Sequence, residues 1–426
     1  MELHAKIKAI RELLDVSQKV LSIEMKVNPS FISKLESGSK PISSETLKKI
    51  RKTLNIEDVP LSDDEIQEFM TKLQSWRDLI NDRRLGEAIE IQPKLARCSE
   101  LSLNSEIQVL YTLYSVGYFR SIGDTASSEN AILFLDSMQD SLSPSYLLGY
   151  LILKGNDALN NGDYKIALKD LLAAEKINMN LNIAHGGLFF SIAACLSSMG
   201  YSYKAEEYIK KARKRSEEIG EKSLEMHYSI NEALCCKNTG RYDEALRILS
   251  GCLRYGKSKA DSGLLEGIVN HNIGCVYLKQ KEYAVAIEYF EKASQSFKKS
   301  FKKESESFIN NLYFKAIALL SDNRIDEGMR CIEEGLSTVG KHGFLNILFN
   351  ALKCSLSLCN DSSLEYIERI AMTKFLKTGR YLEVIEYSDI LTCHYRSIKK
   401  YKQALKFSEM SQKYYKIITE GEICLD

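Results

Sequence analysis

Proline is scarce, 5 in 426 residues, and tryptophan occurs once. So few helix breakers suit a chain of long, closely spaced helices. No apolar stretch reaches the roughly 18 to 20 residues that a bilayer crossing demands. The opening Met1-Glu2-Leu3-His4-Ala5-Lys6 runs into charged helix rather than into an apolar signal core. The 11 cysteines are scattered. Cys235 and Cys236 adjoin and Cys354 and Cys359 are the next closest, and neither spacing is that of a zinc knuckle or a redox Cys-x-x-Cys. They read as small buried residues of a reduced, cytoplasmic protein. A Walker loop, a His-Glu-x-x-His helix, a nucleophile elbow and clustered metal ligands are all missing, and the 6 histidines are dispersed. That set of absences points away from catalysis, metal and cofactor.

What is present is a repeat. A turn, an aromatic and, three residues on, a small residue recur between residues 151 and 418, as in Gly162-Asp163-Tyr164-Lys165-Ile166-Ala167 and Gly240-Arg241-Tyr242-Asp243-Glu244-Ala245. The phrase returns with Tyr283 and Ala286, with Gly379 and Tyr381, and with Tyr401 and Ala404. Ala167, Ala205, Ala245, Ala286 and Gly328 are separated by 38, 40, 41 and 42 residues. Repeats of that length are helical hairpins stacked into a solenoid, which buries a continuous core and leaves a concave inner wall. A chain of this length exceeds a single compact core. The offsets around each small residue match the tetratricopeptide pattern: Gly155, Ala158, Ala167, Leu171 and Ala174 in the clearest copy, and Ala233, Gly240, Ala245, Leu249 and Cys252 in another. Weaker copies extend from Trp76, Leu85 and Ala88 to residues 381–418, about eight hairpins in all.

Charge is divided. Residues 1–56 carry 11 Lys and Arg against 6 Asp and Glu, a net of +5, which leaves −4 for the rest of a chain whose total is +1. A small basic head is what phosphate attraction requires. Ile7, Ile10, Leu13 and Leu14 give it a first helix, and Ser17 caps a second carrying Val20, Leu21 and Ile23. Asn28 and Pro29 begin a third through Phe31, Ile32 and Leu35 to Gly38, and Pro41 and Ser43 introduce a fourth. An acidic, Pro60-containing stretch follows without Lys or Arg until Lys72 and reads as a hinge. The expected domains are a head at 1–56, a hinge at 57–66, a repeat body at 67–418 and a tail at 419–426.

The head resembles the helix-turn-helix of the lambda repressor and Cro type, through Ser17-Gln18, Leu21, Val27-Asn28, Ile32-Ser33-Lys34-Leu35-Glu36, Gly38, Pro41 and Leu47. The resemblance implies a third helix in the major groove. Ser30, Phe31 and Lys34 would then face bases, and Gln18, Lys19, Ser33 and Lys40 the phosphates or sugars. Two departures stand out: Ser22 replaces the usual Ala and Lys26 the usual Gly of the turn, so that Lys26 must accept a strained or altered backbone.

In the body, the first helix of each hairpin lines the concave wall. Asparagines concentrate there: Asn156, Asn231, Asn270, Asn272, Asn310 and Asn311. An amide offers donor and acceptor together and so can bridge the N–H and C=O of an extended peptide, with Tyr228, His227, His271, Tyr313, Asp389 and Arg396 as further candidates for side-chain selectivity. The fold is therefore expected to be all-α, a lambda-repressor-like helix-turn-helix followed by a right-handed tetratricopeptide superhelix.

This combination resembles the RRNPP family of peptide-pheromone receptors, which includes the arbitrium receptors of Bacillus-type phages. The resemblance implies a homodimer whose grip on double-stranded operator DNA is set by a short signalling peptide held inside the superhelix. Another reading of the same modules is a DNA-bound scaffold that recruits a protein partner through the groove and ignores peptides. An adaptor without DNA function leaves the basic head unexplained.

Overall fold

The computed structural model describes residues 2–81, 84–181, 186–219, 225–256, 262–300, 305–339, 343–421 and 423, and among these every regular element is helical. Two compact units divide the chain, Met1–Tyr150 and Leu151–Asp426.

The first unit opens with α1 (Leu3–Leu13), α2 (Gln18–Glu24), α3 (Pro29–Glu36) and α4 (Ser44–Leu54). Each of the last three starts on a side-chain cap, because the first N–H groups of a helix have no partner within it. Ser17 accepts from the Val20 N–H at 3.2 Å, Asn28 from Ser30 at 2.9 Å and Ser43 from Thr46 at 3.2 Å. Lys26 has φ +55°, the left-handed conformation that its replacement of glycine foreshadows. In α2 only Leu21 and Ser22 turn inward, whereas Val20 and Ile23 are exposed, so the second helix has a narrower apolar face than the sequence suggests.

Of residues 57–66, expected to act as a hinge, 57–62 pack and the rest open α5 (Asp63–Asn81): Val59 and Leu61 are buried in one core with Ile7, Ile50 and Leu54 of the head and Ile66, Phe69 and Trp76 of α5. Acidity made the segment look solvated, but its alternate apolar residues have a core to enter. With α6 (Leu85–Leu101) the helix α5 forms a first pair, and α7 (Ser105–Ile122) with α8 (Thr125–Met138) a second. Trp76 is fully buried, donates its indole N–H to the Ala88 carbonyl at 3.1 Å and stacks on Tyr111.

From Leu151 onward the hairpins follow one pattern. The pairs are α9 (Pro144–Asn160) with α10 (Tyr164–Leu181), α11 (Gly186–Met199) with α12 (Ser202–Ile219), α13 (Glu225–Asn238) with α14 (Tyr242–Gly256), α15 (Ser262–Lys279) with α16 (Tyr283–Ser300), and α17 (Glu306–Ser321) with α18 (Ile325–Val339). Next, α19 (Phe344–Ser355) pairs with an arm made of α20 (Asp361–Glu365), a π-helical segment at Tyr366–Ala371 and α21 (Met372–Thr378). The last pair is α22 (Tyr381–Ser397) with α23 (Tyr401–Glu420). The described residues thus form nine pairs rather than about eight, the interrupted arm being the copy whose pattern is hardest to read.

The repeat has a backbone signature. Gly162, Gly200, Gly240, Lys281, Asn323, Gly379 and Lys399 all have positive φ, and each lies five residues before Ala167, Ala205, Ala245, Ala286, Gly328, Val384 or Ala404. All seven of the latter are buried. The left-handed residue closes the first helix, and the small residue lets the second approach its partner.

Candidate functional site

In the head, Lys19, Ser30, Ser33, Lys34 and Lys40 are exposed and Phe31 is half-buried, with the Lys40 ammonium 4.1 Å from its ring centroid. Four of the seven residues assigned to DNA therefore lie on α3, and Lys40 lies just beyond it. Gln18 is engaged differently: its Nε2 donates to Glu36 Oε2 at 2.8 Å. Glu36 is itself clamped by Arg11, Nε to Oε1 at 2.6 Å and Nη2 to Oε2 at 2.9 Å, while Arg11 Nη1 reaches the Val16 carbonyl at 2.7 Å. The hydrogen bonds to Glu36 raise the Arg11 pKa above its ordinary value. This buried fork ties α1 to α3 and orients Gln18 at the start of α2.

In the second unit the inner helices line a groove with a volume of about 740 Å³. Its wall is built mainly by the first arms of successive hairpins, α11, α13, α15, α17, α19 and α22, with Tyr164, Tyr242, Phe297, Tyr415 and Ile418 added from second arms. A neighbouring hollow of about 640 Å³ shares Tyr164, Ser307, Asn310, Leu348 and Arg380 with it. The groove is bounded because the end of the unit returns to its beginning. Tyr381 meets Tyr201 edge-on at 6.0 Å, the Arg380 guanidinium lies 4.6 Å from the Tyr164 ring centroid and 3.5 Å from that of Phe344, and Lys374 Nζ is 3.7 Å from Asp163.

Of the asparagines singled out, Asn272 and Asn310 line the groove, as does His271. Asn272 has only 7% exposure and donates Nδ2 to the Ile268 carbonyl at 2.8 Å. Asn311 is fully buried and serves the hairpin stack: Nδ2 donates to the Phe290 carbonyl and the Ser294 hydroxyl, both at 2.9 Å. Tyr228 is also fully buried, its hydroxyl 2.7 Å from that of Ser216. Asn231 and Asn270 are buried and, like the half-buried Asn156, are not among the residues lining these hollows.

Apart from Asp389, the charges of the groove were missed from sequence. Lys237 and Lys279 stand on α13 and α15, and Glu383, Glu386 and Asp389 are spaced at three-residue intervals on α22. Glu383 accepts from Arg380 Nη1 at 3.0 Å, and its Oε2 is buried without a partner. Lys237, Lys279, Glu386 and Asp389 make no salt bridge among the described residues. Burial lowers the Lys237 pKa and raises that of Glu386, which Lys279 partly offsets. The signal was the three-residue spacing on α22, but nothing in the chain says which hairpin closes onto the first.

Known proteins share these parts. The helix-turn-helix family matches residues 7–60 and the tetratricopeptide repeat family residues 223–299. The transcriptional activator NprA of Geobacillus stearothermophilus is 21% identical over 407 residues, 92% of this chain and 98% of its own. The crystal structure of NprR in complex with its cognate peptide NprX superposes with a TM-score of 0.67 at 19% identity, covering 84% of this chain and 98% of that one. A Rap protein complexed with competence and sporulation factor gives 0.71 at 12% identity, over 83% and 99%. A helix-turn-helix head and a tetratricopeptide body are thus joined in one chain, and its likeness to the NprA activator runs through nearly its whole length.

Proposed function

We propose that the chain is a cytoplasmic, DNA-binding transcription regulator, acting as a homodimer without catalysis, whose activity is set by a short signalling peptide held in the groove of the second unit. The observation that carries this reading is the groove itself: a hollow lined by Asn272, Asn310 and charges of both signs that make no salt bridge, in a chain that also presents Ser30, Ser33 and Lys34 exposed on α3. Unpaired charges facing a cavity lose hydration and gain no partner, a cost that a complementary ligand relieves. The lysines suit an acidic group of the peptide, and α22 suits a basic one. A dimer reads two half-sites about one helical turn apart, and a peptide that prefers one curvature of the solenoid changes their spacing. Domain limits of 1–56 for DNA contact and 67–418 for peptide binding and dimerisation remain part of this reading.

Fluorescence anisotropy of the full chain on its own upstream DNA, with and without synthetic peptides from adjacent small reading frames, tests it. The expected result is a peptide-dependent change in DNA affinity that Asn272→Ala abolishes, and a loss of DNA affinity in Lys34→Ala. DNA binding indifferent to every peptide favours the scaffold reading, and no DNA binding removes both.

A further inference from the structure

The face of α15 that lines the groove carries His271, Asn272, Cys275 and Lys279. His271 Nε2 is 3.6 Å from Cys275 Sγ, and His271 Nδ1 is 2.9 Å from Asn311 Oδ1. The amide of Asn311 cannot be reversed without loss, because its Nδ2 donates to the Phe290 carbonyl and the Ser294 hydroxyl, which fixes Oδ1 as the atom facing the imidazole. An oxygen there accepts, so Nδ1 carries the proton. In the neutral ring Nε2 is then the free acceptor, aimed at the thiol. Sulfur, base and orienting amide are thus in the order that activates a cysteine nucleophile. Burial opposes ionisation of Cys275, but the His271 imidazole, with Lys237 and Lys279 in support, holds the thiol below its ordinary value. Glu383 and Glu386 line the same cavity from α22. By contrast, burial pushes Cys236 up to about 11, and Cys195 and Cys235 up to about 12.

We propose that Cys275, His271 and Asn311 form a thiol-activation site in the groove wall, where a small electrophile or peroxide modifies the Cys275 sulfur. With hydrogen peroxide, the thiolate attacks one oxygen, the S–O bond forms as the O–O bond breaks, and sulfur is oxidised by two electrons to the sulfenic acid. The hydroxide released takes the proton from the imidazolium and leaves as water. Because Cys275 lies beside Asn272, the modified side chain occupies groove volume and lowers peptide affinity, a consequence that rests on the peptide reading above.

The test is alkylation of the full-length native protein by iodoacetamide at pH 6.5, followed cysteine by cysteine by mass spectrometry. An ordinary thiol is only about 1% thiolate at that pH. Cys275 is expected to react about tenfold faster than the exposed Cys359 and Cys393, with the inflection of its pH–rate profile below theirs. His271→Gln is expected to abolish the excess, and hydrogen peroxide followed by dimedone to mark Cys275. Cys275 labelling no faster than the exposed pair, or an excess that survives His271→Gln at unchanged helix content, overturns the site. If Cys275 is reactive but peptides active in the anisotropy assay do not shield it, the assignment of the peptide to this groove fails while the thiol site stands.

Discussion

Glu65, near the start of α5, is a residue whose charge state matters to the fold. Burial opposes its ionisation, but Arg51 Nη2 at 2.6 Å and the N–H groups of Leu61 and Ser62 at 2.9 and 3.1 Å outweigh that and hold the carboxyl at about 2 against an ordinary 4.5. Since the folded value is the lower one, the contribution to stability is complete above about pH 4.5 and is lost as pH falls toward 2. Glu65→Gln should flatten this acid limb, with a cost at neutral pH under about 1 kcal/mol because the side chain is part-exposed. The fluorescence of Trp76, the only tryptophan, reports it, and an unchanged acid limb refutes the assignment. The same scale shows where sequence reading stops. Asn310 and Asn311 are neighbours, yet a step of about 100° around a helix puts one on the groove and the other in the hairpin stack. Composition identified the amides, but the helix phase that separates ligand contacts from packing contacts is set by the neighbouring hairpins.

At the scale of the element, two glycines separate backbone from packing. Gly240 has φ +78° and open space where a Cβ would stand, whereas a Cβ on Gly274 would lie 2.8 Å from Phe290 Cε1. Gly240→Ala is expected to cost roughly 1 to 2 kcal/mol through its backbone alone. Gly274→Ala is expected to cost about 1 to 3 kcal/mol through overpacking. Lys281 occupies the turn position of Gly240 at φ +65°, so Lys281→Gly should be neutral or gain less than about 1 kcal/mol, the relief of strain being offset by chain entropy. Urea midpoints of the three variants decide this, and a loss in Lys281→Gly would contradict the shared turn. The hairpins were legible because small residues recur at fixed offsets. The α19 copy was hard to read because a π-helical segment shifts its register.

At the scale of the whole molecule, the second unit gathers its charges from distant stretches: Lys237 and Lys279 from the middle, Glu386 and Asp389 from the last hairpin. Lys237→Glu should weaken binding of an acidic peptide about tenfold and favour a basic one, as calorimetry with a matched peptide pair would show. Equal affinities in wild type and variant would remove Lys237 from the recognition surface. A bound peptide at a hundredfold over its Kd should add about 2.7 kcal/mol to the stability of the folded protein, read as a shifted thermal transition.

The sequence by itself determined the two modules, the caps of the head and the small residues that seat each hairpin, because these follow from local periodicity and from side-chain size. It also placed Lys26 in its strained turn. Only the tertiary structure decided that residues 57–62 pack, that Asn272 and Asn310 rather than Asn231 and Asn311 meet the groove, and that α22 closes opposite α13 and α15. The last two outcomes depend on the rotation added at each successive hairpin, a sum over hundreds of residues that no local pattern encodes.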